Sequence, residues 1–300
     1  MAKLKAENPK AKAKRLKMFV FGVAGVGKTV AALQFPNSYI IDLEKGTDFY
    51  AETINNANSV VFQSNDPSDI RGQIEGLLTE KHKYRTLILD PMTILYQSIQ
   101  DVWTRRFEND AKARGKTDVA EMQDFGMRYW GKVKSEYKAI QRIIMRLDMN
   151  VIVTSHQKDV YGNGMQKIGV SYDSMKGDDY FFDYIFRLEC DKSEKRFAVR
   201  VKERAEIGQN KFPETFEWSY DNFRKYYGDD MLEREAEVVA LATTEHVNEL
   251  NALVENVRIP QADVEKWLSK AGVDSFSEMD DDQVVKCVNY CKKKISDISK

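Results

Sequence analysis

From position 18 onwards, hydrophobic residues fall into short apolar runs that alternate with segments of helical spacing. The apolar runs are typical of strands, and they occupy residues 18–21, 39–41, 60–62, 86–89 and 150–154. Helical spacing covers residues 28–35, 67–80 and a long stretch at 92–147 that is broken at 112–118. Strands that are apolar on both faces and separated by helices are typical of a parallel sheet. The pattern therefore predicts an α/β fold with a mostly parallel sheet flanked by helices.

The pattern changes after residue 158. Residues 160–178 are polar and glycine-rich, and a loop of that length inside a compact domain is usually functional or disordered. Three more strand-like runs follow at short intervals, at residues 184–188, 196–202 and 215–219. Strands joined by such short connections predict an antiparallel extension at the edge of the sheet.

Both ends of the chain differ from this core. Residues 1–16 carry six lysines and arginines against one acid, Glu7, which predicts a mobile basic arm that either solubilises the protein or binds nucleic acid. An acidic stretch at 228–237 precedes three segments of helical spacing. Cys287 and Cys291 lie on the apolar stripe of the last segment, so we expect them to pack in a core rather than to bind metal. The predicted units are a basic arm at 1–16, a core at 17–228 and a small helical module at 229–300.

Charge and composition narrow the classes of function. The net charge is −1, so the chain as a whole is not drawn to nucleic acid or to a membrane surface, and any basic surface must be local. The three cysteines are sparse and odd in number, and no secretory segment is apparent. No apolar run approaches the roughly 20 residues that cross a membrane. These features predict a cytoplasmic protein with no membrane span.

A phosphate-binding motif follows the first strand. The sequence at residues 22–29 is GVAGVGKT, which fits the pattern G-x-x-x-x-G-K-[ST] between a strand and a helix. Lys28 is expected to hold the β- and γ-phosphates of ATP, and Thr29 to bind Mg²⁺. A chance match on a glycine-rich turn is the alternative. The predicted nucleotide contacts are Gly22, Gly25, Val26, Gly27, Lys28, Thr29 and Val30.

Two acids follow other strands of the predicted sheet. The apolar run at 86–89 ends in Asp90, which the topology places at the edge where ligands bind, as a second Mg²⁺ residue. Its alternative role is to cap the next helix. Many ATPases place a catalytic glutamate directly after this aspartate, but here the next residue is Pro91. Glu44, just past the strand at 39–41, is the best-placed carboxylate to activate water, unless it is only a solvated strand end.

These segments resemble the RecA-type recombinases. The segment IIDLEKGTDFYAE at 40–52 is similar to the one that carries the catalytic acid of that family, which implies that Glu44 is the base and that Asp48 contacts adenine. LILDPMTIL at 87–95 resembles the Mg²⁺ strand. VIVTSHQK at 151–158 resembles the sensor strand, with Gln157 as the residue that reports the γ-phosphate to a DNA loop. His156 stands where the family usually has asparagine.

The resemblance extends to the later strands. VKERAE at 201–206 is similar to a strand whose two cations reach the γ-phosphate of a neighbouring subunit, which implies that role for Lys202 and Arg204. Two exposed charges on an edge strand are the alternative. The segment at 160–178 stands where the family has its mobile DNA loop. Cations and aromatic residues there and at 112–116 predict contacts to single-stranded DNA through Lys158, Tyr161, Lys167, Tyr172, Lys176, Lys112, Arg114 and Lys116.

In its overall plan, the sequence resembles phage-encoded RecA-like ATPases linked to recombination and single-strand annealing more than it resembles RecA itself. This resemblance implies an ATP- and Mg²⁺-dependent ATPase that acts on single-stranded DNA. It also implies a homo-oligomer, ring or filament, with ATP between subunits. The helical module at 229–300 is a candidate site for a single-strand-binding protein. A helicase, another motor on the same core, or an ATP-clamped DNA-binding protein with little turnover remain alternatives.

Overall fold

The computed structural model describes residues 15–113, 115, 122–162, 164, 166–204, 210–236 and 241–298. Its strands are β1 (Lys17–Gly22), β2 (Ser38–Asp42), β3 (Val60–Gln63), β4 (Thr86–Asp90), β5 (Asn150–Tyr161), β6 (Lys167–Tyr172), β7 (Tyr184–Cys190), β8 (Arg196–Glu203) and β9 (Thr215–Glu217). Its helices are α1 (Lys28–Leu33), α2 (Ala51–Asn56), α3 (Pro67–Thr79), α4 (Met92–Ala113), α5 (Met122–Arg146), α6 (Tyr220–Tyr227), α7 (Asp229–Glu233), α8 (Thr244–Asn256), α9 (Gln261–Ala271) and α10 (Asp281–Ile298).

The strands form one sheet in the order β3-β2-β4-β5-β1-β7-β8-β9. The strand pairs from β3 through β7 are parallel, and β8 and β9 extend the sheet sideways beyond β7 as antiparallel strands. The α/β prediction, with its mostly parallel sheet and antiparallel extension, is confirmed. Because parallel strands present their carboxyl ends at one edge, the residues after β1, β2 and β4 meet there.

Helices cover both faces of this sheet. Along β1, Phe19 and Phe21 pack into an apolar layer with α3, α4 and α5, whereas Met18 and Val20 pack into the opposite layer with α1 and α6. Alternate side chains of a strand point to opposite faces, so a strand buried on both faces must be apolar throughout. This arrangement explains the continuous apolar runs in the sequence.

The predicted loop at 160–178 is wrong in its first half. Strand β5 continues beyond Thr154 to Tyr161 and pairs antiparallel with β6, so that a β-hairpin projects from the sheet. The hairpin extends into solvent, and it therefore lacks the apolar run that marks a buried strand. Its base is anchored by Asp178, a buried carboxylate that accepts hydrogen bonds from Tyr137 (2.6 Å), Gln141 (2.8 Å) and Ser174 (2.5 Å).

The sheet domain extends beyond the predicted core bounds at both ends. Arg15 and Leu16, assigned to the basic arm, are buried. The Arg15 guanidinium pairs with Asp148 at 2.9 Å and donates to the carbonyl oxygen of Arg234 at 2.8 Å. Leu232 packs in the core beyond the predicted boundary at 228. Residues 1–14 of the arm lie outside the described residues.

The helical module has an apolar core of its own. Leu250, Val284 and Cys291 are buried at its centre, and Cys287 packs against them, as expected for core cysteines. The module rests on the sheet domain through ion pairs. Its buried Glu278 accepts from Arg71 and Arg142, and Asp280 pairs with Arg146. Among the described helices, none is both long enough and apolar enough to span a membrane.

Candidate functional site

The loop between β1 and α1 curls around a central opening. Gly25 and Gly27 have φ angles of +76° and +93°, in the left-handed region that favours glycine. The Lys28 side chain folds back across the loop, where its Nζ donates to the carbonyl oxygens of Gly22 (3.1 Å) and Val23 (3.0 Å). Partial burial lowers the pKa of Lys28, and the carboxylates of Asp90 and Glu44 oppose this shift. The loop thus places a cation beside a curl of backbone, as a phosphate site requires.

Thr29 and Asp90 meet beside this loop. The Thr29 hydroxyl donates to Asp90 Oδ2 at 2.6 Å, and the Thr154 hydroxyl donates to Asp90 Oδ1. Burial raises the pKa of the Asp90 carboxyl, although the two hydroxyl donors pull it down. Hydroxyl and carboxylate oxygens are hard ligands of the kind that Mg²⁺ prefers. The two residues therefore fit the predicted magnesium site.

Asp42, at the end of β2, organises the turn that carries Glu44. The register pairs Asp42 with Asp90 at the same edge of the sheet. Asp42 Oδ1 accepts from the backbone N–H groups of Glu44 (3.1 Å) and Gly46 (3.2 Å). Its Oδ2 accepts from the Thr47 N–H (2.9 Å) and hydroxyl (2.5 Å). This buried carboxylate fixes the backbone of the turn, so the exposed side chain of Glu44 starts from a defined position.

His156 lies opposite Glu44. Its Nε2 is 3.1 Å from Glu44 Oε1, and its backbone N–H donates to the Thr93 hydroxyl at 2.9 Å. The strand register places His156 beside Gly22, the first residue of the phosphate motif. The imidazole therefore lies within hydrogen-bonding distance of the Glu44 carboxylate at the mouth of the loop.

These groups surround one pocket of about 480 Å³. Its lining residues are Ala24, Gly25, Gly27, Lys28, Thr29, Val30, Glu44, Gly46, Tyr50, Asp90, Pro91, His156, Gln157 and Arg196. The pocket brings together four predicted segments, namely the phosphate loop with Lys28 and Thr29, Glu44, Asp90 and Gln157, and its size suits a small-molecule ligand. Gly22 and Val26 are buried behind the wall.

Sequence reasoning missed or displaced several residues of this site. Asp48, predicted to contact adenine, accepts from the Gln63 amide at 2.5 Å and lies off the wall, whereas Tyr50 lines it. Arg196 was not predicted at all, because only the strand order brings β8 beside the phosphate loop. Asp42 and His156 carry a weak sequence signal, in that Asp42 ends β2 and His156 follows the apolar run at 150–154.

Lys202 and Arg204 lie away from the pocket of their own chain. Lys202 Nζ donates to the carbonyl oxygens of Asp179 and Phe182, and Arg204 pairs with Asp183 at 3.1 Å. Strand β8 runs antiparallel to β7, so these residues lie toward the sheet edge opposite the phosphate loop. Contact with a γ-phosphate requires a neighbouring subunit, and that role stays a prediction.

The candidate DNA residues fall into three groups. Lys158 and Lys167 form ion pairs on the hairpin with Asp173 (3.3 Å) and Asp159 (2.7 Å), while the Tyr161 side chain is 59% exposed. The Tyr172 ring packs edge-on against Phe19, and its hydroxyl donates to Asp179. Its packing therefore does not support the predicted base stacking. Lys176 and Lys112 are exposed, and Arg114 and Lys116 lie outside the described residues.

Comparison with known proteins agrees with this geometry. No curated protein matches the chain significantly. A family model described as an AAA domain matches residues 14–212. The matched range is well over half of the chain, includes every residue that lines the pocket, and ends before the helical module. The chain therefore belongs to the AAA domain family, whose members are P-loop NTPases that bind ATP with Mg²⁺.

Proposed function

We propose that this protein is a DNA-dependent ATPase that acts on single-stranded DNA in recombination or strand annealing. The observation that carries the proposal is the convergence of Lys28, the Thr29–Asp90 pair and Glu44 on one pocket. Each group has a separate task in phosphoryl transfer, and the tasks are complementary.

The hydrolysis step follows from these positions. Lys28 holds the β- and γ-phosphates and offsets the negative charge that develops during transfer. Thr29 and Asp90 would hold Mg²⁺, which would neutralise part of the phosphate charge. Glu44 orients a water molecule and accepts its proton while the water oxygen bonds to the γ-phosphorus and the bond to ADP breaks. His156, 3.1 Å from the Glu44 carboxylate, keeps that carboxylate directed at the mouth of the loop.

The hairpin supports coupling to DNA. Gln157 lines the pocket and also forms the first pair of the β5–β6 ladder, with Tyr172. A change in the position of Gln157 at the pocket would therefore move the base of the hairpin directly. The tip exposes Tyr161, Lys167 and Ile168, which offer the aromatic, cationic and apolar surface that single strands bind.

Assembly of subunits would complete the site. Lys202 and Arg204 lie toward the opposite edge of the sheet, so stacking one chain on the next brings them to the neighbour's pocket. A mixing experiment tests this arrangement. A Lys202→Ala/Arg204→Ala double variant and a Lys28→Ala variant are each expected to hydrolyse little ATP. Their mixture is expected to recover turnover, because one chain supplies the cations and the other the intact pocket. If the mixture stays as inactive as its components, the shared site is wrong.

The experiment that tests the proposal is steady-state ATP hydrolysis with no DNA, with single-stranded DNA and with duplex DNA. We expect strong stimulation by single strands and loss of that stimulation in a Tyr161→Ala/Lys167→Ala variant. Annealing of complementary strands in the same samples is expected to depend on ATP. Turnover indifferent to all DNA would overturn the DNA dependence, and unwinding of a forked duplex would favour a helicase.

A further inference from the structure

Arg196, the first residue of β8, lies directly on the phosphate loop. Its Nε donates to the carbonyl oxygen of Val26 at 3.2 Å. A Cβ atom added to Gly27 would lie 2.0 Å from the same Nε and 2.9 Å from Cζ. The guanidinium therefore rests on the bare α-carbon of Gly27, in a space that any other residue at position 27 would fill. Arg196 also forms part of the pocket wall.

The backbone around Arg196 is firmly held. The turn at 191–195 is organised by Asp191, whose Oδ1 accepts from the backbone N–H groups of Ser193 (2.8 Å) and Lys195 (2.9 Å). On the other side, the backbone N–H of the buried Trp218 donates to the carbonyl oxygen of Arg196 at 2.8 Å. A side chain on such a scaffold loses little freedom when it binds a ligand.

The guanidinium of Arg196 has no carboxylate partner in the part of the chain that the structure describes. Arginine stays protonated in proteins, and within the described residues no carboxylate forms an ion pair with this guanidinium. Its neighbours on β8 differ, because Lys195 pairs with Glu217 and Arg200 pairs with Glu203. The hydrogen bond to Val26 uses Nε alone, so the two Nη groups are left to donate to an anion.

We propose that Arg196 is a nucleotide-binding residue that acts within its own chain and donates to the polyphosphate of bound ATP. This inference rests on the proposed function of the pocket. A guanidinium suits phosphate oxygens because it can donate two hydrogen bonds in one plane. Arg196 packs on Gly27, whereas the Thr29–Asp90 and Glu44–His156 pairs are formed without it. It should therefore strengthen the binding of ADP and ATP alike, rather than the hydrolysis step.

Calorimetric titration of the full chain with ATP and with ADP, each with Mg²⁺, tests the inference. An Arg196→Ala variant is expected to bind both nucleotides about tenfold more weakly, the loss typical of one charged hydrogen bond. Its KM for ATP should rise in the same proportion. An Arg196→Lys variant keeps the charge without the planar fork and should fall between wild type and Arg196→Ala. Lys195→Ala, which removes the adjacent cation outside the pocket wall, should bind like wild type.

Two outcomes separate the inference from the proposed function. If Arg196→Ala and Arg196→Lys bind both nucleotides like wild type while Lys28→Ala loses binding, Arg196 is not a nucleotide ligand and the ATPase proposal stands. If wild type itself binds neither nucleotide, the proposed function fails. A fall in kcat with unchanged affinity would also overturn the inference. Should Arg196→Ala fail to fold, as judged by thermal melting, Arg196→Lys carries the test.

Discussion

At one edge of the central sheet, Lys28 and Arg196 face a pocket, and within the described residues their side chains donate to carbonyl oxygens of the phosphate loop. Toward the opposite edge, the Nζ atoms of Lys17 and Lys202 donate to backbone carbonyl oxygens outside the pocket. Lys17 Nζ donates to the carbonyls of Ile144 (3.3 Å), Leu147 (2.9 Å) and Met149 (3.1 Å), where helix α5 ends.

This difference shows that the backbone groups around a buried or half-buried cation determine its role, either as a donor to structural carbonyl oxygens or as part of a ligand pocket. The last carbonyls of a helix lack their usual partners in the next turn. Here the Ile144 carbonyl accepts from the Leu147 N–H at 3.3 Å and from Lys17, and Lys17 also donates to the Leu147 carbonyl just past α5. The loop at the ligand-binding edge instead contains two glycines with left-handed backbone, and Lys28 and Arg196 line the pocket beside it. Burial lowers the pKa of both Lys17 and Lys28, yet of the two only Lys28 lines the pocket that also holds Asp90 and Glu44.

The sharpest way to break this comparison is to remove one lysine from each edge. Lys28→Ala should weaken ATP binding by about 100-fold, because several charge-assisted contacts to phosphate are lost. Lys17→Met should leave ATP affinity within about twofold of wild type, because Lys17 contacts only structural carbonyls. Calorimetric titration with ATP and Mg²⁺ measures both. Equal losses in the two variants would contradict the division of roles.

A change at Asp42 tests whether the ligand-binding edge depends on its buried turn. In Asp42→Asn an amide replaces one oxygen that now accepts from the N–H and hydroxyl of Thr47, so donors would face donors. We expect the free energy of unfolding to fall by about 2–3 kcal/mol. The value of kcat should fall about tenfold as Glu44 loses its position. Denaturant unfolding measures the free energy of unfolding, and steady-state turnover measures kcat. A variant that is less stable but keeps the wild-type kcat would show that Asp42 does not position Glu44.

The pH dependence of stability probes the opposite edge. Burial lowers the pKa of Lys17 from 10.5 to about 7, although Asp148 and Asp183 pull it upward. Between these values the unfolded chain binds more protons than the folded one, so stability should rise with pH. The gain from pH 7 to pH 9 is about 2 kcal/mol.

Lys17→Met supplies the control for this titration, because other groups of the protein also titrate in the same range. The gain is expected in the difference between wild type and Lys17→Met, measured by denaturant unfolding at each pH. Parallel pH profiles for the two proteins would show that the Lys17 ammonium stays charged in the folded state.

The sequence could predict those elements that a short, local pattern of apolar and polar residues determines. The phosphate loop, Asp90 and Glu44 each follow an apolar strand, and parallel topology brings such strand ends together. The place of Arg196 beside the phosphate loop and the contact of His156 with Glu44 depend on strand order and on register between distant segments, which no local pattern encodes. The β5–β6 hairpin escaped detection because its strands face solvent. Arg15 looked like part of a basic arm, and only its pairing with Asp148 reveals it as core.

The most direct test of the account is single-turnover hydrolysis of prebound ATP, with ATP affinity measured on the same samples. Glu44→Gln should bind ATP about as well as wild type but hydrolyse it at least about 100-fold more slowly, because the amide cannot accept a proton from water. Glu52→Gln, which changes an exposed acid on α2, is the matched control and should hydrolyse ATP at the wild-type rate. Hydrolysis by Glu44→Gln at the wild-type rate would contradict the assignment of Glu44 as the base and, with it, the proposed catalytic site.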